Sequence, residues 1–183
     1  MRLKYQNGGK PPTDPKEPLD VEKLKKGIAW VESNNNPSAM NPTTSATGQY
    51  QQMYKSLVNE PELTYEDVDD YGYEVSNLMS RDSLANNPAL QELLMDRSVH
   101  KGIGQRSLLR HGRELTQEFQ QQLGDKWNFR EDEVAALSHF MGRDRTRQYF
   151  ASIRDNTPFS IPGTNHTAEM YLKKYNEGIN RGN

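Results

Sequence analysis

Apolar residues recur at helical intervals along most of this chain. Val21, Leu24, Ile28 and Val31 line one face of a first helix. Asp20 suits its N-cap, and Leu19 is placed to staple onto Leu24. The run Asn34-Asn35-Asn36-Pro37 ends it. Tyr50, Met53, Tyr54, Leu57 and Val58 fit the same template, predicting a second helix from Tyr50 bounded by Pro61. Asn87-Pro88 reads as an N-cap followed by proline at the first helical position, opening a helix with Leu90, Leu93 and Leu94. Leu115, Phe119 and Leu123 continue a helix that Gly124 closes. Glu131 to Phe150 reads as one further helix, with Val134, Leu137 and Met141 on a face and Phe140 beside them. After a loop with Pro158, Pro162 and Gly163, a last helix carries Ala168, Tyr171, Leu172, Tyr175 and Ile179. No segment alternates for long and no internal repeat is present, so the fold class is all-α, or nearly so.

The periodicity leaves residues 1–18 out. Gly8, Gly9, Pro11, Pro12, Pro15 and Pro18 defeat both helix and inner strand. They predict a flexible N-terminal arm, either docking to a larger assembly or simply solvated. Residues 19–183 then form the one domain that 183 residues favour. Only 33% of residues are hydrophobic and mean hydropathy is −1.00, a lean core that implies long polar loops. A net charge of −2 gives no field toward nucleic acid or anionic membrane. Cysteine is absent, which removes disulfides and thiolate chemistry. No run approaches a membrane span and no signal-peptide core is present, so synthesis in the cytoplasm is expected.

Candidate chemistry centres on residues 30–53. The first helix carries Glu32 to its end, bordering the buried face four residues after Ile28. A loop rich in Asn, Pro, Ser and Thr follows, up to Gly48. Partial burial against Trp30 and Val31 would raise the carboxyl pKa and let it act as an acid near neutral pH. A surface glutamate is the ordinary alternative. His139 is placed to bond Glu32 or a ligand, or to be a satisfied core histidine. His100, His111, His139 and His166 lack metal-ligand spacing, so no metal and no cofactor is expected. Arg97, Lys101, Arg106, Arg110 and Arg113 form a basic stretch, more in keeping with a solvated helix face than with anion or nucleic-acid binding. Tyr50, Tyr54, Tyr71 and Tyr73 suit either sugar stacking or a core stripe.

Several spacings agree together in this region. Glu32-Ser33, Asn36-Pro37 and Ala39, Asn41, Ser45-Ala46 and Gly48 followed by Gln51 resemble the catalytic domain of soluble lytic transglycosylases. That family shares a lysozyme-like helical fold with goose-type lysozymes. Gln49 stands where the family usually has leucine. Ala136-Leu137-Ser138-His139-Phe140-Met141-Gly142 is similar to a divergent form of the family's Ala-Tyr-Asn-Ala-Gly helix, with His139 at the tyrosine and Phe140 at the asparagine position.

The resemblance implies cleavage of the peptidoglycan bond between N-acetylmuramic acid and N-acetylglucosamine. Glu32 would be the catalytic acid and then the base that closes a 1,6-anhydro ring. Substrate assistance by the acetamido group makes a second carboxylate unnecessary. Ser33, Asn41, Gln51 and His139 are the substrate-binding residues it implies. Glycan strands are the expected partner, with other virion proteins meeting the N-terminal arm if the enzyme is packaged in a phage. Release as an endolysin is the other route to the bacterial wall. Two rivals stay open: a lysozyme using a second carboxylate from Asp67, Asp69 or Asp70, and a non-catalytic virion or wall-binding module.

Overall fold

The computed structural model describes residues 19–53, 80–101 and 107–181. Its helices are α1 (Val21–Ser33), α2 (Arg81–Ala85), α3 (Pro88–His100), α4 (Leu108–Leu123), α5 (Glu131–Met141), α6 (Arg143–Asp155) and α7 (Ala168–Asn180). Two short antiparallel strands, β1 (Ala46–Thr47) and β2 (Gln52–Met53), pair Ala46 with Met53 and Thr47 with Gln52. The described chain is thus mostly helical. The expected arm at 1–18, the acidic run from Glu60 to Glu74, and Tyr54, Leu57, Val58, Tyr71, Tyr73 and Arg106 lie outside the described residues.

Helix α5 is the centre. Its Val134, Ala135, Ala136 and Leu137 are fully buried, and α1, α4, α6 and α7 pack around it. Its first turn is closed by Glu133, which accepts a hydrogen bond from the Arg130 backbone N–H at 2.9 Å. Leu24 and Ile28 of α1 are equally buried, each burial contributing about 1.5–3 kcal/mol. Asp20 caps α1 by accepting from the Lys23 N–H at 3.0 Å, and Asn34 ends it in the left-handed region. Under α6, Phe150 lies 5.1 Å from both Trp127 and Phe129, an aromatic cluster that closes the far side of the core.

Two expectations need correction. The segment from Glu131 to Phe150 is two helices, because Gly142 takes φ +80° and ψ 159° between them. That turn redirects the chain so that Tyr149 and Phe150 reach the aromatic cluster. Helix does not begin at Tyr50 either: residues 48–51 form a turn, and Gln52–Met53 is a strand. Gln51 there has φ +46°, which no helix accommodates.

Helices α1 and α7 approach closely because each presents a glycine. A Cβ at Gly27 would overlap the Tyr175 ring, and one at Gly178 would lie 2.6 Å from Trp30 Cβ. This closeness sets where the tyrosines of α7 meet α1. Gly178→Val forces Trp30 and Arg181, whose guanidinium sits 4.0 Å above the indole, to move. The expected loss is about 1–3 kcal/mol in a urea titration. An unchanged unfolding midpoint would contradict this packing.

Candidate active site

Glu32 occupies the last turn of α1, half-buried, with its carboxyl turned toward α7. The Tyr171 hydroxyl donates to Glu32 Oε1 at 3.0 Å. Tyr171 is itself buried, and Phe140 stacks on its ring at 4.3 Å and 13°. Burial first, then the neighbouring carboxylate, pushes the Tyr171 hydroxyl well above its ordinary pKa, so it remains a donor. Lys174, one turn further along α7, donates from Nζ to the Val31 carbonyl at 2.8 Å, bringing its charge beside Glu32.

The carboxyl is held above its ordinary value. Desolvation is the largest cause; His139, the Tyr171 hydrogen bond, Lys174 and His166 pull the other way without cancelling it. The negative end of the α1 dipole also disfavours an anion here. The site therefore keeps a proton available while surrounding it with groups that stabilise the charge left after it departs.

His139 reaches across from α5. Its Nε2 lies 3.2 Å from the Tyr50 carbonyl oxygen, which can only accept, so Nε2 carries the proton in that bond. Nδ1 has no hydrogen-bond partner among the described residues.

The loop from Asn34 to Met53 folds into a small wing beside α1. An isolated bridge joins Met40 to Thr47 next to the β1–β2 pair. The Gly48 N–H donates to the Ala39 carbonyl at 2.8 Å. Ser33 donates to the Gln49 carbonyl at 2.8 Å and accepts from the Asn36 N–H at 3.0 Å, tying both ends of the loop to the helix end. Asn41 Oδ1 accepts from the Thr43 and Thr44 backbone and from the Thr43 hydroxyl. Gln51 donates to the Ala39 and Gly48 carbonyls at 3.2 and 2.9 Å. Ser33, Asn41 and Gln51 therefore bond within the loop, whereas Glu32 is bonded by α7 and His139 meets the Tyr50 carbonyl. Tyr50 is buried with its hydroxyl 2.6 Å from Glu92, so it belongs to the core and not to a stacking surface.

Residues outside the motif hold the wing, and sequence reasoning missed them. Gln91, fully buried on α3, accepts from the Gln49 N–H at 2.7 Å and donates to the Pro37 and Leu84 carbonyls at 2.9 and 2.7 Å. Gly48, at φ +81°, leaves the space that Gln91 fills. Arg81 donates to the Thr47 hydroxyl at 2.8 Å and to the Asn41 and Ala46 carbonyls at 2.6 and 2.8 Å. Lys25, buried on α1, is 2.8 Å from both Glu92 and Asp96. Tyr171 was legible only as an apolar-face residue, since 139 positions separate it from Glu32. Two members of the basic stretch are ion-paired: Arg110 meets Glu114 at 2.8 Å and Arg113 meets Glu131 at 3.6 Å.

Among the described residues no cluster of His, Asp or Glu forms a metal site, and no helix is long and apolar enough to cross a membrane. No family model, curated protein or solved structure matches this chain.

An acid whose pKa is raised by folding binds more protons in the native state than in the unfolded one between the two values. Stability then falls as pH rises from 4.5 through the native pKa of Glu32. Glu32→Gln removes that penalty. The variant is expected to melt above the wild type at pH 8, with the difference shrinking as pH falls below 4.5. Equal melting temperatures at pH 8 would place the carboxyl in bulk water.

Proposed function

We propose that the chain is a peptidoglycan lytic transglycosylase with a lysozyme-like fold, acting through Glu32. The observation that carries this reading is the half-buried carboxyl, raised in pKa and hydrogen-bonded by Tyr171, beside a braced polar loop. Its Glu-Ser, Asn-Pro and Gly–Gln spacings resemble those of the family. The departures from the family pattern have local partners. Gln49 donates through Nε2 to Glu92, and Phe140 stacks on Tyr171.

In the proposed reaction, Glu32 gives its proton to the oxygen linking N-acetylmuramic acid to N-acetylglucosamine. As the bond breaks, the acetamido carbonyl of the muramyl sugar shares the positive charge at C1. Tyr171, Lys174 and His139 stabilise the carboxylate that remains. That carboxylate then takes the proton of the 6-hydroxyl, whose oxygen closes on C1. The product is a 1,6-anhydro end, no water is consumed, and Glu32 is again protonated. No cofactor enters.

Purified protein incubated with peptidoglycan, followed by mass spectrometry, tests this. Anhydro ends, lighter than reducing ends by one water, are expected, with turnover lost in Glu32→Gln. Reducing ends would mean a hydrolase. Binding without release in the wild type would mean a non-catalytic module.

Tyr171→Phe tests the donor separately. Losing a hydrogen bond to a charged group is worth about 1.5–3 kcal/mol, so turnover should fall about 10- to 100-fold. The Glu32 pKa should rise further, moving the profile's alkaline-side inflection, where the required proton is lost, to higher pH. An unshifted profile at full rate would remove Tyr171 from the site.

A further inference from the structure

Lys25 is buried on α1 and met by carboxylates from two helices. Its Nζ lies 2.8 Å from both Glu92 and Asp96 on α3, and 3.4 Å from Glu22 on α1. Asp96 alone would tie α1 to α3. Glu92 reaches further: one oxygen meets Lys25, and the other accepts from the Tyr50 hydroxyl at 2.6 Å and from the Gln49 side-chain amide. Burial works to raise the Glu92 carboxyl, and Lys25, Tyr50 and Gln49 together hold it below its ordinary value. Burial, and then Glu92, push the Tyr50 hydroxyl up, so it stays a donor.

What this cluster pins is a backbone carbonyl. Tyr50 is buried, and the residue before it is fixed through both backbone groups: the Gln49 N–H donates to Gln91 at 2.7 Å, and the Gln49 carbonyl accepts from Ser33 at 2.8 Å. Gln51, the residue after it, turns the chain at φ +46°. His139 reaches from α5 to the Tyr50 carbonyl, donating through Nε2 at 3.2 Å. That distance is the outer end of the N–H···O range, so a small shift of Tyr50 breaks the bond. Of the groups that draw the Glu32 carboxyl toward its charged form, His139 is the strongest. An imidazole free to turn would hold that charge less well.

We propose that Glu92 is a positioning residue: acting through Tyr50, it holds the carbonyl that orients the His139 imidazole. Its effect on turnover rests on the reading of Glu32 as a glycan-cleaving acid, whereas the link from Glu92 to His139 stands on contacts alone. Those contacts run from α3 through the Tyr50 side chain and backbone to α5. Asp96 supplies the internal comparison. It meets Lys25 at the same 2.8 Å but makes no hydrogen bond to Tyr50 among the described residues. Removing each carboxylate in turn therefore separates orientation of the histidine from simple stapling of α1 to α3.

The full chain, labelled with nitrogen-15 at histidine, tests this through exchange of the His139 Nε2–H with water. The signal is assigned by its loss in His139→Gln. The wild type is expected to show a protected proton. Glu92→Leu, which leaves Lys25 paired with Asp96, should speed its exchange about 10-fold, the effect of losing one hydrogen bond. Tyr50→Phe, which removes a single oxygen, should do the same and answers alone if Glu92→Leu does not fold. Glu92→Gln keeps an acceptor for the Tyr50 hydroxyl, and it and Asp96→Asn should stay within about 2-fold of the wild type. On peptidoglycan, kcat should fall about 10-fold in Glu92→Leu and hold in Asp96→Asn. An unprotected proton in the wild type, unchanged exchange in folded Glu92→Leu or Tyr50→Phe, or equal acceleration by Asp96→Asn would overturn the assignment. A wild type without turnover would sink the enzymatic reading alone, because the exchange rates decide the positioning by themselves.

Discussion

The Tyr171 hydroxyl and the Glu32 carboxyl meet at 3.0 Å across the seam of α1 and α7. Everything proposed for the site depends on that seam. Glycines on both helices let the backbones close on each other, Phe140 fixes the tyrosine ring, and Lys174 ties α7 to the end of α1. The balance of energies explains the protonation state. One hydrogen bond to a carboxylate contributes about 1.5–3 kcal/mol. Removing an ion from water costs several kcal/mol even after relaxation. Burial therefore exceeds the single donor, and the electrostatic pull of His139, Lys174 and His166 narrows the gap without closing it. A carboxyl in that state keeps its proton to higher pH than a solvated one and is not stranded once it has given it up.

The wing beside Glu32 is rigid for a different reason. Of its left-handed residues, Asn34, Asn35 and Gly48 donate their backbone N–H groups to the Trp30, Ala29 and Ala39 carbonyls, and Gln51 donates its side-chain amide to the Ala39 and Gly48 carbonyls, so no continuous sheet is needed. Gln91 acts as a buried rivet whose amide satisfies both the wing and the α2–α3 junction. A half-satisfied amide at that depth would cost more than an apolar replacement, so the full set of partners is what makes it stabilising. Arg81 adds donors to the carbonyls that so short a pair of strands leaves unmatched. Bonds of this kind tie the loop to the end of α1, where Ser33 holds both the Gln49 carbonyl and the Asn36 N–H.

The helical body was legible because its signals are local. Asp20, Asn87 and Gly124 mark boundaries through their own side chains or conformations, and Leu24, Ile28, Leu115 and Phe119 mark faces by spacing alone. The break at Gly142 was not, since a lone glycine inside a periodic run is compatible with helix until packing demands a turn. The strand at Gln52 was hidden because two residues cannot show a period, and Tyr50 and Met53 on either side of it fall at the spacing of a helix face. Glu32 was readable from its place at the end of α1. Tyr171, Gln91 and Arg81 were not, because each acts over a long separation through a contact that no short pattern encodes. Ser33, Asn41 and Gln51 show the same limit: spacing located them, but only geometry reveals the bonds that the Ser33 hydroxyl, the Asn41 side-chain oxygen and the Gln51 amide nitrogen make within the loop.

The most direct measurement is the titration of the Glu32 carboxyl itself, followed by carbon-13 NMR of its side-chain carbonyl in the full chain. A midpoint clearly above 4.5 is required if burial beside Tyr171 holds the proton for delivery. A midpoint at or below 4.5 would mean an ordinary solvated or ion-paired glutamate, and the account of an acid poised between α1 and α7 would be wrong.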